Sequence, residues 1–440
     1  MDPKSAQPNP DIRHNSIAYA VDYASFNLGM TFVNISSVFP ALVGQLTDSA
    51  PIIGLIGTVW RGCWLLPQLP VGQWINRQPR KKRFMMLSAS IGRIPFWIVA
   101  AALWLGLAKN PTVLLILLFS AFGILAAGDG LATLAWFDIM ARALPAKVRS
   151  RVISLAQLFG GILGVGTGLL VSLILSSSKL PFPTNYGLLF TLASLFIGVS
   201  TVALSRIREP EPSFQKSTAG AHHQTNLWAL VRGDRHLVYF IVCRILVGLA
   251  ELSLPFYVGH AQDTLHLPTG IIGAFVIAQT LGGVAASALL GVAGAHRGPR
   301  YVIRVGSAIS ALGPIFALAA HLSGASWLGK AYPFVFITLG VANNVRFIGF
   351  FNYLLEIAPE EIRPTYVGLS NTILGLLTLA PTMGGWLLES TSYSTLFGAT
   401  AIFALVGFTL TLGLKLPADI RRSLTNKDSR SFGRARQIED

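Results

Sequence analysis

The sequence predicts an all-α membrane protein with twelve transmembrane helices, folded as two six-helix bundles related by a pseudo-two-fold repeat. Three observations carry this expectation. Of 440 residues, 52% are hydrophobic and only 12% charged, about half the charged share of an ordinary soluble chain. The apolar residues gather into twelve runs, and a bilayer core about 30 Å thick takes roughly 20 residues per spanning helix. The longest polar interruption divides those runs six and six.

In chain order the runs cover residues 17–42, 51–74, 84–107, 112–139, 152–177, 184–205, 237–258, 268–292, 301–321, 331–356, 365–388 and 393–414. The first is the least continuous, because Asp22, Asn27 and Asn34 interrupt it. Asp22 lies early enough in that run to sit at the membrane interface. The expected organisation is a polar N-terminal tail at 1–16, a first bundle at 17–205, a linker at 206–236, a second bundle at 237–414 and a tail at 415–440. The opening MDPKSAQPNPDIRHNS has no basic start followed by an apolar core, so no cleavable signal is expected. Most of the 43 glycines and ten of the 24 prolines lie within apolar runs, which membrane helices tolerate better than soluble ones do. Cys63 and Cys243 also lie in apolar runs and suggest neither a disulfide framework nor a metal site.

The charges are distributed unevenly between the connecting segments. A cytoplasmic N-terminus places Arg77, Arg80, Lys81, Lys82, Arg83, Arg142, Lys147, Arg149, Arg151, Arg206, Arg208, Arg297 and Arg300 on one side. The other side keeps only Lys109, Lys179 and Lys330. By the positive-inside rule this predicts a plasma-membrane protein with both termini cytoplasmic. Topology thereby accounts for the net charge of +15 without a nucleic-acid partner.

A shift of 214 residues aligns WFDIMARALPAKVRSRVISL, from Trp136, with FFNYLLEIAPEEIRPTYVGL, from Phe350. Phe137 meets Phe351, Pro145 meets Pro359, Arg149 meets Arg363 and Leu155 meets Leu369. Agreement with the six-plus-six division makes this an internal repeat, an architecture whose solute site lies near midplane between the halves.

After the second run comes GQWINRQPRKK, and Gly72, Arg77, Arg80 and Lys82 resemble the loop signature Gly-x-x-x-Asp-Arg-x-Gly-Arg-x-Lys/Arg of the major facilitator superfamily. Asn76 replaces the usual Asp and Pro79 the usual Gly, while Gly291, Gly298 and Arg300 form a fainter second copy. The resemblance implies a transporter that rocks two bundles about a central site, with proton coupling as the family default. It also implies a gating loop of Gly72, Asn76, Arg77, Arg80 and Asp138, the last matching an acidic partner at the end of the fourth helix in similar transporters. Lys81 and Arg83 read equally well as topology determinants beside anionic lipid. The proton-coupled Arg-x-x-x-Gly pattern is missing, with Ala126 in its place, and the branch within the superfamily stays open.

An ionisable group inside an apolar run costs at least about 2.5 kcal/mol on insertion scales, so it should face a cavity or a partner. Arg61, Asp129, Arg244, Glu251, Asn343 and Arg346 are the candidates for the solute pathway, with Asp129 or Glu251 as proton carrier. Asp129 aligns with Asn343 under the 214-residue shift. The alternative is that these charges form structural ion pairs. Arg61, Arg93, Arg244 and Arg346 outnumber Asp129 and Glu251, which leans toward a substrate with an anionic group. No phosphate loop, His-Glu-x-x-His or Gly-x-Ser-x-Gly sequence occurs, so no enzyme, cofactor or catalytic residue is expected and transport would be gradient-driven. The expected partners are a small-molecule substrate, protons and the lipid bilayer. An uncoupled facilitator and a non-transporting sensor or scaffold on the same fold remain the competing readings.

Overall fold

The computed structural model describes residues 10–76, 78–211, 234–359 and 363–415, with the backbone alone at 10, 69, 73, 76, 346–348, 363–365 and 373. Most of the expected linker, the ends of both expected tails and Arg77 lie outside the described residues, as do the side chains of Asn76 and Arg346.

Among the described residues there are twelve long helices. They are α1 (Pro10–Phe32), α2 (Ala50–Gly72), α3 (Lys82–Trp104), α4 (Pro111–Ala143), α5 (Ala146–Ser176), α6 (Thr184–Arg206), α7 (Arg235–Thr264), α8 (Ile271–Arg297), α9 (Pro299–Ser323), α10 (Pro333–Ile357), α11 (Tyr366–Ser390) and α12 (Tyr393–Leu412). All but α1 are long and apolar enough to cross a membrane. Their exposed faces are apolar, as in the stripe Leu87, Ile91, Ile94 and Ile98 along α3, which is what a helix presents to lipid tails. Trp74, Trp104, Trp327 and Trp386 are also exposed, a placement that suits the amphipathic indole at a membrane interface.

Helix α1 begins at Pro10, seven residues before the expected start. The polar residues there have partners that the sequence does not reveal. Asn15 is buried and exchanges hydrogen bonds of 3.0 and 2.8 Å with the backbone of Arg208, while His14 donates to the Arg206 carbonyl at 2.8 Å. The start of the expected linker therefore packs against α1. Helix α7 likewise runs to Thr264, past the expected end of the seventh run at 258, which makes His260 a fully buried helical residue.

The repeat is visible in the packing. Within the first bundle α1 packs on α6, α3 on α4 and α6, and α2 on α4; six helices later α7 packs on α12, α9 on α10 and α12, and α8 on α10. The two main seams between bundles obey the same relation, since α5 packs on α8 and α11 packs on α2.

Both seams close at the end of the molecule away from the chain termini. On α5, Ser172 donates to the Gly270 carbonyl of α8 at 2.8 Å. A Cβ on Gly168 would stand 2.5 Å from Ile277 and 2.9 Å from the Gly273 carbonyl. On α2, Thr58 donates to the Thr378 carbonyl at 2.7 Å and lies 2.8 Å from the Thr382 hydroxyl. A Cβ on Gly385 of α11 would meet the Ala50 carbonyl at 2.5 Å. Beyond Gly161, where an added Cβ would still stand 2.5 Å from Val284 of α8, the helices diverge toward the termini around a cavity bordered by Ser154, Leu158, Ser287 and Ala288, and Gly62, Gly160, Gly291 and Gly375 face open space.

Candidate functional site

The divergence leaves connected cavities between the bundles. The widest, about 510 Å³, lies among α1, α5, α8 and α10 and is lined by Asn27, Gln157, Gln279, Asn343 and Asn344. It shares Asn27, Thr31, Asn34, Gln279 and Asn343 with a deeper cavity of about 340 Å³, whose floor includes Trp60, Arg61 and Glu251. Arg61, Glu251 and Leu254 in turn border a smaller, mainly apolar recess of about 150 Å³ that also contains Arg244.

At the junction the Arg61 guanidinium of α2 pairs with the Glu251 carboxylate of α7, tying one bundle to the other. Glu251 is buried in a tightened 3₁₀ turn, Leu249–Ser253, whereas 29% of the Arg61 side chain stays exposed. Such local departures from α geometry recur at functional positions in helices, and α10 has one at Val345–Phe351, just beyond Asn343. Arg244 donates to the Ser370 hydroxyl at 2.8 Å.

The other pathway candidates have different surroundings. Asp129 accepts from the Trp64 indole at 3.3 Å, on the side of α2 where α4 packs. Asn343 opens into both central cavities. Among the gating-loop residues, Arg80 is exposed and Gly72 lies alongside Leu134 of α4. Asp138 binds Lys81 at 2.9 Å and Arg142 at 2.9 Å, and Arg142 also binds Glu209 at 2.9 Å.

Several functional candidates escape sequence reasoning. Lys81, one of four consecutive basic residues, is the described partner of Asp138 from that basic run. Glu209, assigned above to the linker, accepts from the backbone N–H groups of Lys81 and Lys82 at 2.8 and 3.0 Å, capping the start of α3. Asp22 is not interfacial: it is 5% exposed, lies 3.9 Å from Arg93, and accepts from Ser200 at 2.6 Å and Trp136 at 2.8 Å. Its spacing from Asn15, Ala18 and Tyr19 puts all four on one buried face of α1, a signal that was readable in the sequence. With Asp22 deep, the excess of arginines over carboxylates shrinks to one. The cavity amides left no charge signal at all.

Comparisons with known proteins agree with this architecture. The family model described as Major Facilitator Superfamily matches residues 18–378, with a further match over 243–436. No curated protein sequence matches. Among solved structures, a bacterial homologue of the iron transporter ferroportin in its inward-facing state superposes with a TM-score of 0.69 at 14% identity, covering 92% of this chain and 99% of that one. The same homologue in its outward-facing state gives 0.55 at 14% identity, with the same coverage. A D-xylose-proton symporter gives 0.65 at 15% identity, covering 92% and 98%. The nucleoside transporter NupG gives 0.61 at 13% identity, covering 92% and 99%. At such identities the likeness shows the fold alone.

Proposed function

The chain belongs to the major facilitator superfamily, and from that premise we propose that it is a secondary active transporter moving a small solute by alternating access. One observation carries the reading. A polar cavity between two repeat-related bundles is closed at one end by the α2–α11 and α5–α8 seams and open toward the end bearing the termini. With the termini cytoplasmic in the plasma membrane, as the charge asymmetry predicts, this is an inward-open state. Rocking the bundles would close that end and part the seams.

Proton coupling is assigned to Glu251, because it faces the cavity and holds Arg61 of the other bundle. A proton on its carboxylate removes the charge attraction across the junction, so loading from one side favours separation and release favours re-pairing. Asp129 lies behind α2 against Trp64 and is the weaker of the two candidate carriers. The Lys81–Asp138–Arg142–Glu209 cluster holds the basic loop to the first bundle in this state and would exchange partners as the cytoplasmic end closes.

The test places a single cysteine at Asn343 in a Cys63→Ser, Cys243→Ala background and labels it from each side of the membrane. Alternating access expects labelling from both sides; labelling from the terminal side alone overturns the reading in favour of a sensor or scaffold. Once a solute is known, Glu251→Gln should abolish its accumulation against a gradient while leaving downhill exchange. Accumulation that survives in the variant excludes Glu251 as carrier, and a wild type that only equilibrates the solute is an uncoupled facilitator.

A further inference from the structure

The central cavity contains little net charge. Among the described residues of its two polar cavities the only formal charges are Arg61 and Glu251, and these neutralise each other; Arg244 borders only the adjoining apolar recess, where it donates to Ser370. The rest of its polar lining is amides and hydroxyls, several of them with one end already engaged in the protein. Asn27 donates from Nδ2 to the Tyr23 carbonyl at 2.7 Å, a bond only the nitrogen can make, so its Oδ1 is left to accept. Asn34 is the reverse, with Oδ1 taking the Ser36 N–H at 2.8 Å and the Ser37 hydroxyl at 3.1 Å, so its Nδ2 is left to donate. Gln279 reaches across from α8 to Ser36 at 3.3 Å, and its Oε1 is buried with no hydrogen-bond partner among the described residues. Asn343, on α10, is exposed in the same space. Asn344 is not part of this set, since its amide is used between α8 and α10, on Ser287 at 2.7 Å and the Gly283 carbonyl at 3.0 Å.

An anion needs donors alone, and the acceptor ends of Asn27 and Gln279 would face it unfavourably. A hydroxyl both donates and accepts, and a buried amide end left unpaired is costly. We infer that the solute is a small uncharged molecule bearing several hydroxyl or amide groups, held between Asn27 and Asn34 of one bundle and Gln279 and Asn343 of the other. This rests on the transport reading and replaces the sequence-based lean toward an anionic substrate. Because both bundles supply contacts, the solute itself would bridge them.

The experiment measures melting of the purified full-length protein against a panel of uncharged sugars, polyols and nucleosides, alongside the carboxylate and phosphate analogues of the same skeletons. At least one uncharged member should raise the melting temperature while its charged counterparts do not. Asn343→Leu and Asn27→Leu should each weaken that binding about tenfold, the equivalent of one good hydrogen bond, with unchanged elution in size-exclusion chromatography. Should either variant fail to fold, Gln279→Glu, which sets a negative charge in the cavity, is read instead and should also weaken the hit. Stabilisation by charged members only, or by no uncharged member, overturns the inference and leaves the accessibility test of transport standing. Counterflow of the hit in proteoliposomes separates the two claims: a bound solute that does not cross sinks the transport reading and leaves the ligand class intact.

Discussion

Asp22 and Arg93 are 5% and 7% exposed, and their carboxylate and guanidinium join α1 to α3 in the interior of the first bundle. Removing one member of a buried pair strands the other, at a cost of about 3–5 kcal/mol. Asp22→Asn should therefore lower the melting temperature clearly, while the double variant with Arg93→Gln recovers part of the loss. Equal melting of the single variant and the wild type would mean that the pair does not hold these helices. Glu251→Gln should cost less, nearer 1–2 kcal/mol, because the partially exposed Arg61 can take up cavity water. Deep charge at Arg61, Arg93 and Glu251 was evident from the sequence, whereas the choice of partners was not. Arg61 and Glu251 are separated by 190 residues of chain, and only the rotation and depth of two helices in different bundles bring them together.

For the helices, the two seams depend on close approach. Gly273 has no room for a side chain, since an added Cβ would stand 2.5 Å from the Ser172 backbone N and Cβ. Gly273→Val and Gly385→Leu should wedge the closed seams apart and shift the resting population toward the opposite state. The expected readout is slower labelling of Asn343→Cys from the terminal side and faster labelling from the other. Unchanged rates would show that the seams do not set the equilibrium. Glu209 acts on a different element by capping α3 and binding Arg142. Its replacement by Ala should cost about 1–2 kcal/mol of stability, as expected for a lost helix cap. Helix starts were the least legible elements, because Asn15 meets Arg208, and Glu209 meets Lys81 and Lys82, across more than 100 residues of sequence.

Across the whole molecule, the described basic residues outside the membrane-spanning runs, such as Arg80, Lys81, Arg142, Arg206, Arg297 and Arg300, cluster at the end where α1 starts and α12 finishes. Lysines at the other end are Lys109, Lys179 and Lys330. An impermeant maleimide applied to intact cells should label Lys179→Cys at once and Arg300→Cys only after permeabilisation. The reverse pattern would invert the orientation and make the present conformation outward-open. The matched helix contacts of the two halves are what the proposed alternating access requires, because equivalent packing in each bundle would let a second arrangement form at similar cost.

The sequence by itself determined the class of the protein, the number of helices, the six-plus-six division and the direction of the charge asymmetry. These follow from local quantities, namely the length of apolar runs against bilayer thickness and the composition of loops. The 214-residue shift also pairs the ends of α4 and α10, Ala143 with Ile357. Only the tertiary structure decided which charges pair, which amides meet in the cavity and which end is shut. Each of these depends on how one helix is rotated and tilted against another. Asp22 shows the distinction most plainly: its position in the chain suggested a membrane interface, and the packing of α1 on α6, with Trp136 of α4 and Arg93 of α3 reaching in, made it the buried partner of Arg93.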